Sequence, residues 1–175
     1  VVYSDARGHG ACAAVIVHPS GRAFFCRHQF PKARLNRLKN RMTQVTAFEL
    51  WAAAMALLTF VIPENLVVRH FIDNKAALSC LVRAYSSQRD LNNIAGGVMH
   101  KCSLAVVSAF FDFVRSKDNL ADGPSRGVLD LMKKIRAHEV APIFPDWDIV
   151  SLDWLLEQEL SNVVVFLPFV GHKFN

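Results

Sequence analysis

The 175-residue chain predicts an α/β domain, a mixed sheet covered by helices. Short apolar, β-branched runs alternate with longer stretches of helical character, the pattern of a sheet with helices packed on it. The first three strand-like runs are joined by Gly and Pro turns, which makes them an antiparallel meander. Hydrophobic residues make up 52% of the chain, thirteen of them Phe, enough for a sizeable core.

The elements follow in order. Residues 1–6 form an apolar strand that carries Asp5 near its end, and Gly8 and Gly10 mark a turn. Residues 11–18 are a second strand, Pro19-Ser20-Gly21 a turn, and residues 22–30 a third strand. A basic linker, residues 31–41, leads to a long helix reaching about residue 62, with Thr43 or Thr46 available as its cap. Pro63 and Asn65 stop that helix. Residues 66–72 are a strand followed by an acid, Asp73, and Asn74 is a natural cap for a helix to about residue 85. Residues 86–90 are a break, 91–106 a further helix and 109–115 a short strand. Residues 116–126 form a polar loop containing Asp122, and residues 128–138 read as helical. The coarse string is βββαβααβα plus a tail containing Pro142, Pro145 and Pro168.

Val1 opens directly in a strand-like run, without a signal-peptide pattern or an initiator Met, so a fragment of a longer intracellular polypeptide is expected. Residues 45–62 carry a single charge, Glu49, over 18 positions, close to the length of a membrane span. A central helix buried in a globular domain has the same composition. An intramembrane carboxylate is costly and the flanking runs read as strands, which favours the buried helix and no membrane partner. The cysteines, Cys12, Cys26, Cys80 and Cys102, form no C-x-x-C pair and sit in apolar surroundings, as reduced core residues do. Cys26 with His28, or His100 with Cys102, supplies two zinc ligands, and two do not make a site.

Charge is segregated. Residues 1–136 hold 19 bases against 9 acids, whereas residues 137–175 hold one base, Lys173, and six acids. A strongly basic body implies a polyanionic partner, most simply nucleic acid. Within the linker, Lys32, Arg34, Arg37, Lys39 and Arg41 fall in ten residues with no acid.

Four carboxylates stand out. Asp5 and Asp73 each lie at the end of an apolar strand, and if those strands are parallel neighbours both project from one end of the sheet. Glu49 lies 44 residues after Asp5, among Phe48, Trp51, Ala52 and Ala53, where a lone Glu is costly unless paired. Asp122 sits in an Asn-Leu-Ala-Asp turn. Each acid also has a plain structural reading, as a turn former, a helix cap or an arginine partner. Together in a basic α/β domain they point to chemistry. Clustered carboxylates repel one another and burial disfavours their charge. Hard divalent cations such as Mg²⁺ resolve that conflict, and two such ions ~4 Å apart support phosphodiester hydrolysis.

The order of these acids, with three local motifs, resembles the ribonuclease H family, closest to the RNase H domains of retroelement (LTR-type or related) reverse transcriptases. Tyr-Ser-Asp-Ala at 3–6, followed by Gly8, Gly10 and Ala11, is similar to the opening strand and turn. Phe-Ile-Asp-Asn at 71–74 is similar to the second aspartate motif. Asn-Leu-Ala-Asp-Gly-Pro-Ser-Arg at 119–126 is similar to the closing N-x-x-A-D-x-x-S-R motif, the most specific of the three. The likeness covers residues 1–127, leaving 128–175 as a C-terminal extension. It implies an RNase H-like fold with a five-stranded mixed sheet of order 3-2-1-4-5. It implies Asp5, Glu49, Asp73 and Asp122 as ligands of two Mg²⁺ or Mn²⁺ ions, and cleavage of the RNA strand of an RNA–DNA hybrid. The hybrid is then approached by Arg7, Gly8, Thr43, Gln44 and Asn74, and the remainder of a reverse transcriptase is a partner.

Two departures are visible. Residues 116–121 lack the histidine that cellular members carry, with Lys117 and Asp118 there instead, and no basic protrusion helix follows residue 85. Its binding role would pass to Arg34, Arg37, Lys39 and Arg41. Arg7 stands where 3′–5′ exonucleases of the same superfold carry a second acid. Asp122 stands where integrase-like members end their triad in Glu. A domesticated, inactive domain acting as a nucleic-acid- or protein-binding scaffold is the alternative from a different class.

Overall fold

A computed structural model describes residues 1–31, 38–60, 67–104 and 107–143, with Lys101 and Leu104 described by their backbone alone. Arg34 and Arg37, together with Lys32, the helix stop at Pro63 and Asn65, and residues 144–175, lie outside the described residues.

The first three strands form the expected meander: β1 (Val2–Ala6), β2 (Ala11–Val17) and β3 (Ala23–Gln29) pair antiparallel in sequence. Gly10 makes the first turn possible. Its φ is +90°, and a Cβ there would lie 3.2 Å from the Gln29 amide nitrogen. The long helix α1 (Val45–Thr59) follows, then β4 (Val67–Ile72), α2 (Lys75–Arg83), α3 (Arg89–Leu104) and β5 (Ser108–Phe113). A single 3₁₀ turn (Ser116–Asp118) and two short helices, α4 (Asp122–Ser125) and α5 (Asp130–Lys134), lead to a two-residue strand β6 (His138–Glu139).

The result is a mixed six-stranded sheet of order β5-β4-β1-β2-β3-β6, flanked by helices. Five strands stand in the expected order, and the count of five is corrected by β6, which pairs parallel to Phe24 and Phe25 of β3. The expected helix over residues 128–138 is shorter for the same reason. Arg136 adopts a left-handed φ of 53°, which ends helical geometry and redirects the chain to the sheet edge. There the Val140 N–H donates to the Phe25 carbonyl at 2.9 Å, and Arg27 pairs with Glu139 at 2.8 Å.

The cap of α1 also differs from expectation. Neither Thr43 nor Thr46 is the N-cap. Gln44 is, without a side-chain cap bond, and the Thr43 hydroxyl accepts the Val45 N–H at 3.3 Å. Asn74 caps α2 as expected, its side-chain oxygen accepting the Ala76 and Ala77 N–H groups, each at 3.0 Å.

α1 lies across β1 and β2, with α3 behind it, so Ala47 through Ala56 are all buried. Its alanines (Ala47, Ala52, Ala53, Ala54, Ala56) allow close approach to the sheet, and Phe48 and Trp51 cluster with Phe30 of the β3 end. Burial on nearly all sides explains the membrane-like composition of this segment. Among the described residues no helix is long and apolar enough to cross a membrane. The opposite sheet face carries a second, smaller core of Ala13, Val15, Phe25, Ala121 and Met132. It holds the segment around Ala121 and Met132 against β2 and β3.

Candidate metal centre

The parallel pairing of β1 with β4 sets Ser4 opposite Ile72. The next residues on the two strands, Asp5 and Asp73, therefore leave the same end of the sheet side by side. α1 crosses that end with Glu49 turned inward, and the Glu49 Oε1 accepts the Ala6 N–H at 3.1 Å. One carboxylate oxygen from each of Asp5, Glu49 and Asp73 lies within 4.8 Å of the other two. Among the described residues, Glu49 has no arginine partner. A backbone amide holds one oxygen, and Oε2 is buried with no hydrogen-bond partner.

The electrostatics follow from this crowding. Burial, with the Asp5 and Asp73 charges behind it, pushes Glu49 up to about 9, against the pull of the Ala6 N–H. Asp5 rises to about 6, again mainly through burial, reinforced by Asp73 and Asp122 and opposed by the Ser125 hydroxyl and Arg126. A buried, partly unpartnered carboxylate beside two others is a set of hard oxygen donors converging on one point. Those donors fit Mg²⁺ or Mn²⁺.

The same cleft is lined by Arg7, Gly8, Val45, Asn74, Asp122 and Arg126. The structure thus brings Arg7, Gly8 and Asn74 of the expected nucleic-acid contacts to the carboxylates. Asp122 reaches the cleft but not the three-carboxylate cluster. Its Oδ1 accepts both Nε (2.9 Å) and Nη2 (2.7 Å) of Arg126, which hold it at the rim. Thr43 and Gln44 stand at the start of α1 and do not line the cleft. Arg41 and Lys39 turn toward α3. The Arg41 guanidinium pairs with Asp90 and donates to Gln44 at 2.8 Å, and the Lys39 backbone N–H donates to Asp90 at 3.0 Å. Arg41 is therefore largely committed within the fold, whereas the Lys39 ammonium, bonded to Gln88, is exposed.

Two serines had no role assigned from sequence. Ser125 donates its hydroxyl to Asp5, and Ser116 donates to Asp73. Ser125 was visible as part of the closing motif. Ser116 carries no sequence signal, since a serine after a strand is ordinary. The motif's Asn119 is explained by its amide, which donates to the Ser4 carbonyl at 2.9 Å while its oxygen accepts the Ala121 N–H at 3.1 Å. Gly123 is required by space, since a Cβ there would lie 2.9 Å from the Val128 carbonyl oxygen.

Comparison of the chain with known protein families, with curated proteins and with solved structures finds no significant match.

Proposed function

We propose that this chain is a metal-dependent endonuclease of the ribonuclease H type, cutting the RNA strand of RNA–DNA hybrids as part of a retroelement reverse transcriptase. The observation that carries the reading is the convergence of Asp5, Glu49 and Asp73 from three separate elements on one cleft, with the Glu49 Oε2 unpartnered. The strand order β5-β4-β1-β2-β3 and the basic body of the chain support it.

Asp5, Glu49 and Asp73 would hold the divalent ions, with Asp122 joining on release from Arg126. Bound there, two such ions supply an activated water and charge stabilisation for an in-line displacement at phosphorus. The protein's own part is to place the scissile phosphate. Arg7 and Arg126 flank the carboxylates and offset the phosphate charge. The exposed Gly8 turn lets a backbone come close, and Asn74 stands beside it at the end of the neighbouring parallel strand β4. Distinction of RNA from DNA rests on 2′-hydroxyl contacts in a wide minor groove.

The test is cleavage of an end-labelled RNA–DNA hybrid in Mg²⁺, beside duplex DNA of the same sequence. The expected result is RNA-strand cleavage, intact duplex DNA, and loss of cleavage in Asp73→Asn with its melting temperature retained. Tight hybrid binding without cleavage by the wild-type protein would instead favour a scaffold.

A further inference from the structure

The segment 119–126 touches β1 at two places, and the two contacts differ in kind. Asn119 grips the backbone, its amide donating to the Ser4 carbonyl. Ser125 reaches the reacting end, its hydroxyl donating to the Asp5 carboxylate. Both residues are buried, at 5% exposure each, and so is Asp5 at 5%. The Ser125 hydroxyl also lies 2.9 Å from the Asp122 carbonyl. With one proton to give, it favours the carboxylate, the charged and stronger acceptor.

We propose that Ser125 is a positioning residue for the metal centre: its hydroxyl takes one oxygen of Asp5 and fixes the carboxylate so that the other faces Glu49 and Asp73. This rests on the metal-site reading above. Side chains that orient metal ligands set affinity through the rotamer and lone pairs they impose. Asp5 has little else to orient it, because among the described residues its side chain has no hydrogen-bond donor but Ser125. The short helix that carries Ser125 is itself fixed. The Ser125 N–H donates to the Ala121 carbonyl at 3.0 Å, and Ala121 is fully buried in the second core.

Ser116 supplies an internal contrast. It makes the same type of bond, to Asp73, but it is exposed and Asp73 is half-buried. Water can replace that hydroxyl, and it cannot easily replace Ser125.

The experiment is Mn²⁺ titration of the full chain, following free Mn²⁺ by electron paramagnetic resonance, for wild type, Ser125→Ala, Ser116→Ala, Asp5→Asn and the double variant Asp5→Asn/Ser125→Ala. The expected result is Mn²⁺ affinity weakened about 10- to 100-fold by Ser125→Ala. Ser116→Ala should weaken it by less than about threefold, consistent with an exposed bond. In the Asp5→Asn background Ser125→Ala should add nothing, because its path to the metal is gone. Ser125→Thr, which keeps the hydroxyl, should restore most of the affinity. The metal-free melting temperatures of Ser125→Ala and wild type should agree within a few degrees. Unchanged Mn²⁺ affinity in Ser125→Ala, with wild type binding Mn²⁺ well, overturns the role of Ser125 and leaves the metal site standing. An equal loss on both backgrounds also overturns it. A wild-type protein that binds no Mn²⁺ overturns both readings.

Discussion

Among the described residues, Glu49 and His70 are the two buried ionisable groups that keep an unpartnered polar atom, Oε2 in one and Nδ1 in the other. Both sit in the same sandwich of sheet and helix, and their surroundings differ completely. Around Glu49 two further carboxylates converge on a cleft that opens to solvent. His70 is sealed, with its Nε2 2.9 Å from the Ser4 hydroxyl and its ring 5.4 Å from that of Phe111. Burial pushes Glu49 up to about 9 and His70 down to about 3, so in both cases it is the neutral form that folding prefers. Only at Glu49 do other ligands stand near, so only there can a cation restore the charge. A buried titratable group thus marks a site when like groups face it across open space, and marks a core position when they do not.

Glu49→Gln breaks the comparison most strongly. It keeps the shape, removes the charge and should lower hybrid cleavage by at least about a thousandfold, roughly 4 kcal/mol of barrier. The same variant should stabilise the metal-free protein at pH 8 by about 1–3 kcal/mol, read by urea unfolding, because wild-type Glu49 must take up a proton on folding at that pH and Gln need not. His70→Gln should leave cleavage within a few-fold of wild type while costing stability. A large loss of activity in His70→Gln, with the fold intact, would give His70 a role the structure does not.

pH sharpens the contrast. Glu49 has a folded pKa above its unfolded one, so the folded state holds the proton between them and stability falls as pH rises from ~4.3 toward about 9. Asp5 contributes in the same direction up to about 6. His70 has the opposite shift, so its contribution is present above ~6.5 and is lost as pH falls toward about 3. The melting temperature of the metal-free protein should therefore decline on both sides of a maximum, with Glu49→Gln flattening the alkaline side alone. On the proposed assignment Mg²⁺ would displace the protons on Asp5 and Glu49, so the melting temperature it adds should grow between pH 6 and pH 8. A Mg²⁺ effect independent of pH would contradict the assignment.

The smallest expected effect concerns the basic linker. Arg41→Ala should change the slope of log K against log salt for hybrid binding by well under one phosphate contact, about 0.9. The reason is that Arg41 is engaged by Asp90. The loss of that partly buried pair should appear as stability instead, about 1–3 kcal/mol by denaturant unfolding. A full unit of slope would place Arg41 on the hybrid.

Much of this was legible in the sequence, for identifiable reasons. Asp5 and Asp73 announce themselves because each stands at the end of an apolar strand, and Glu49 because a lone carboxylate among Phe, Trp and Ala needs an explanation. The strand meander was legible from its turns. The sixth strand was not, since two residues carry no period and the helical pattern over residues 128–138 is ended by a backbone reversal at Arg136 that favours Gly or Asn by sequence. The commitment of Arg41 to Asp90 was equally hidden, because the two lie 49 residues apart. The serines that hold Asp5 and Asp73 were silent because nothing in composition distinguishes a positioning hydroxyl from a turn hydroxyl.

The central claim is that Asp5, Glu49 and Asp73 form a divalent metal site, and a crystal of the full chain soaked in Mn²⁺ tests it most directly through anomalous scattering. The expected result is a peak about 2.0–2.3 Å from an oxygen of each of the three carboxylates, Glu49 Oε2 among them. A well-ordered cleft with no anomalous density between these residues at saturating Mn²⁺, and Glu49 still bonded only to the Ala6 amide, would contradict it.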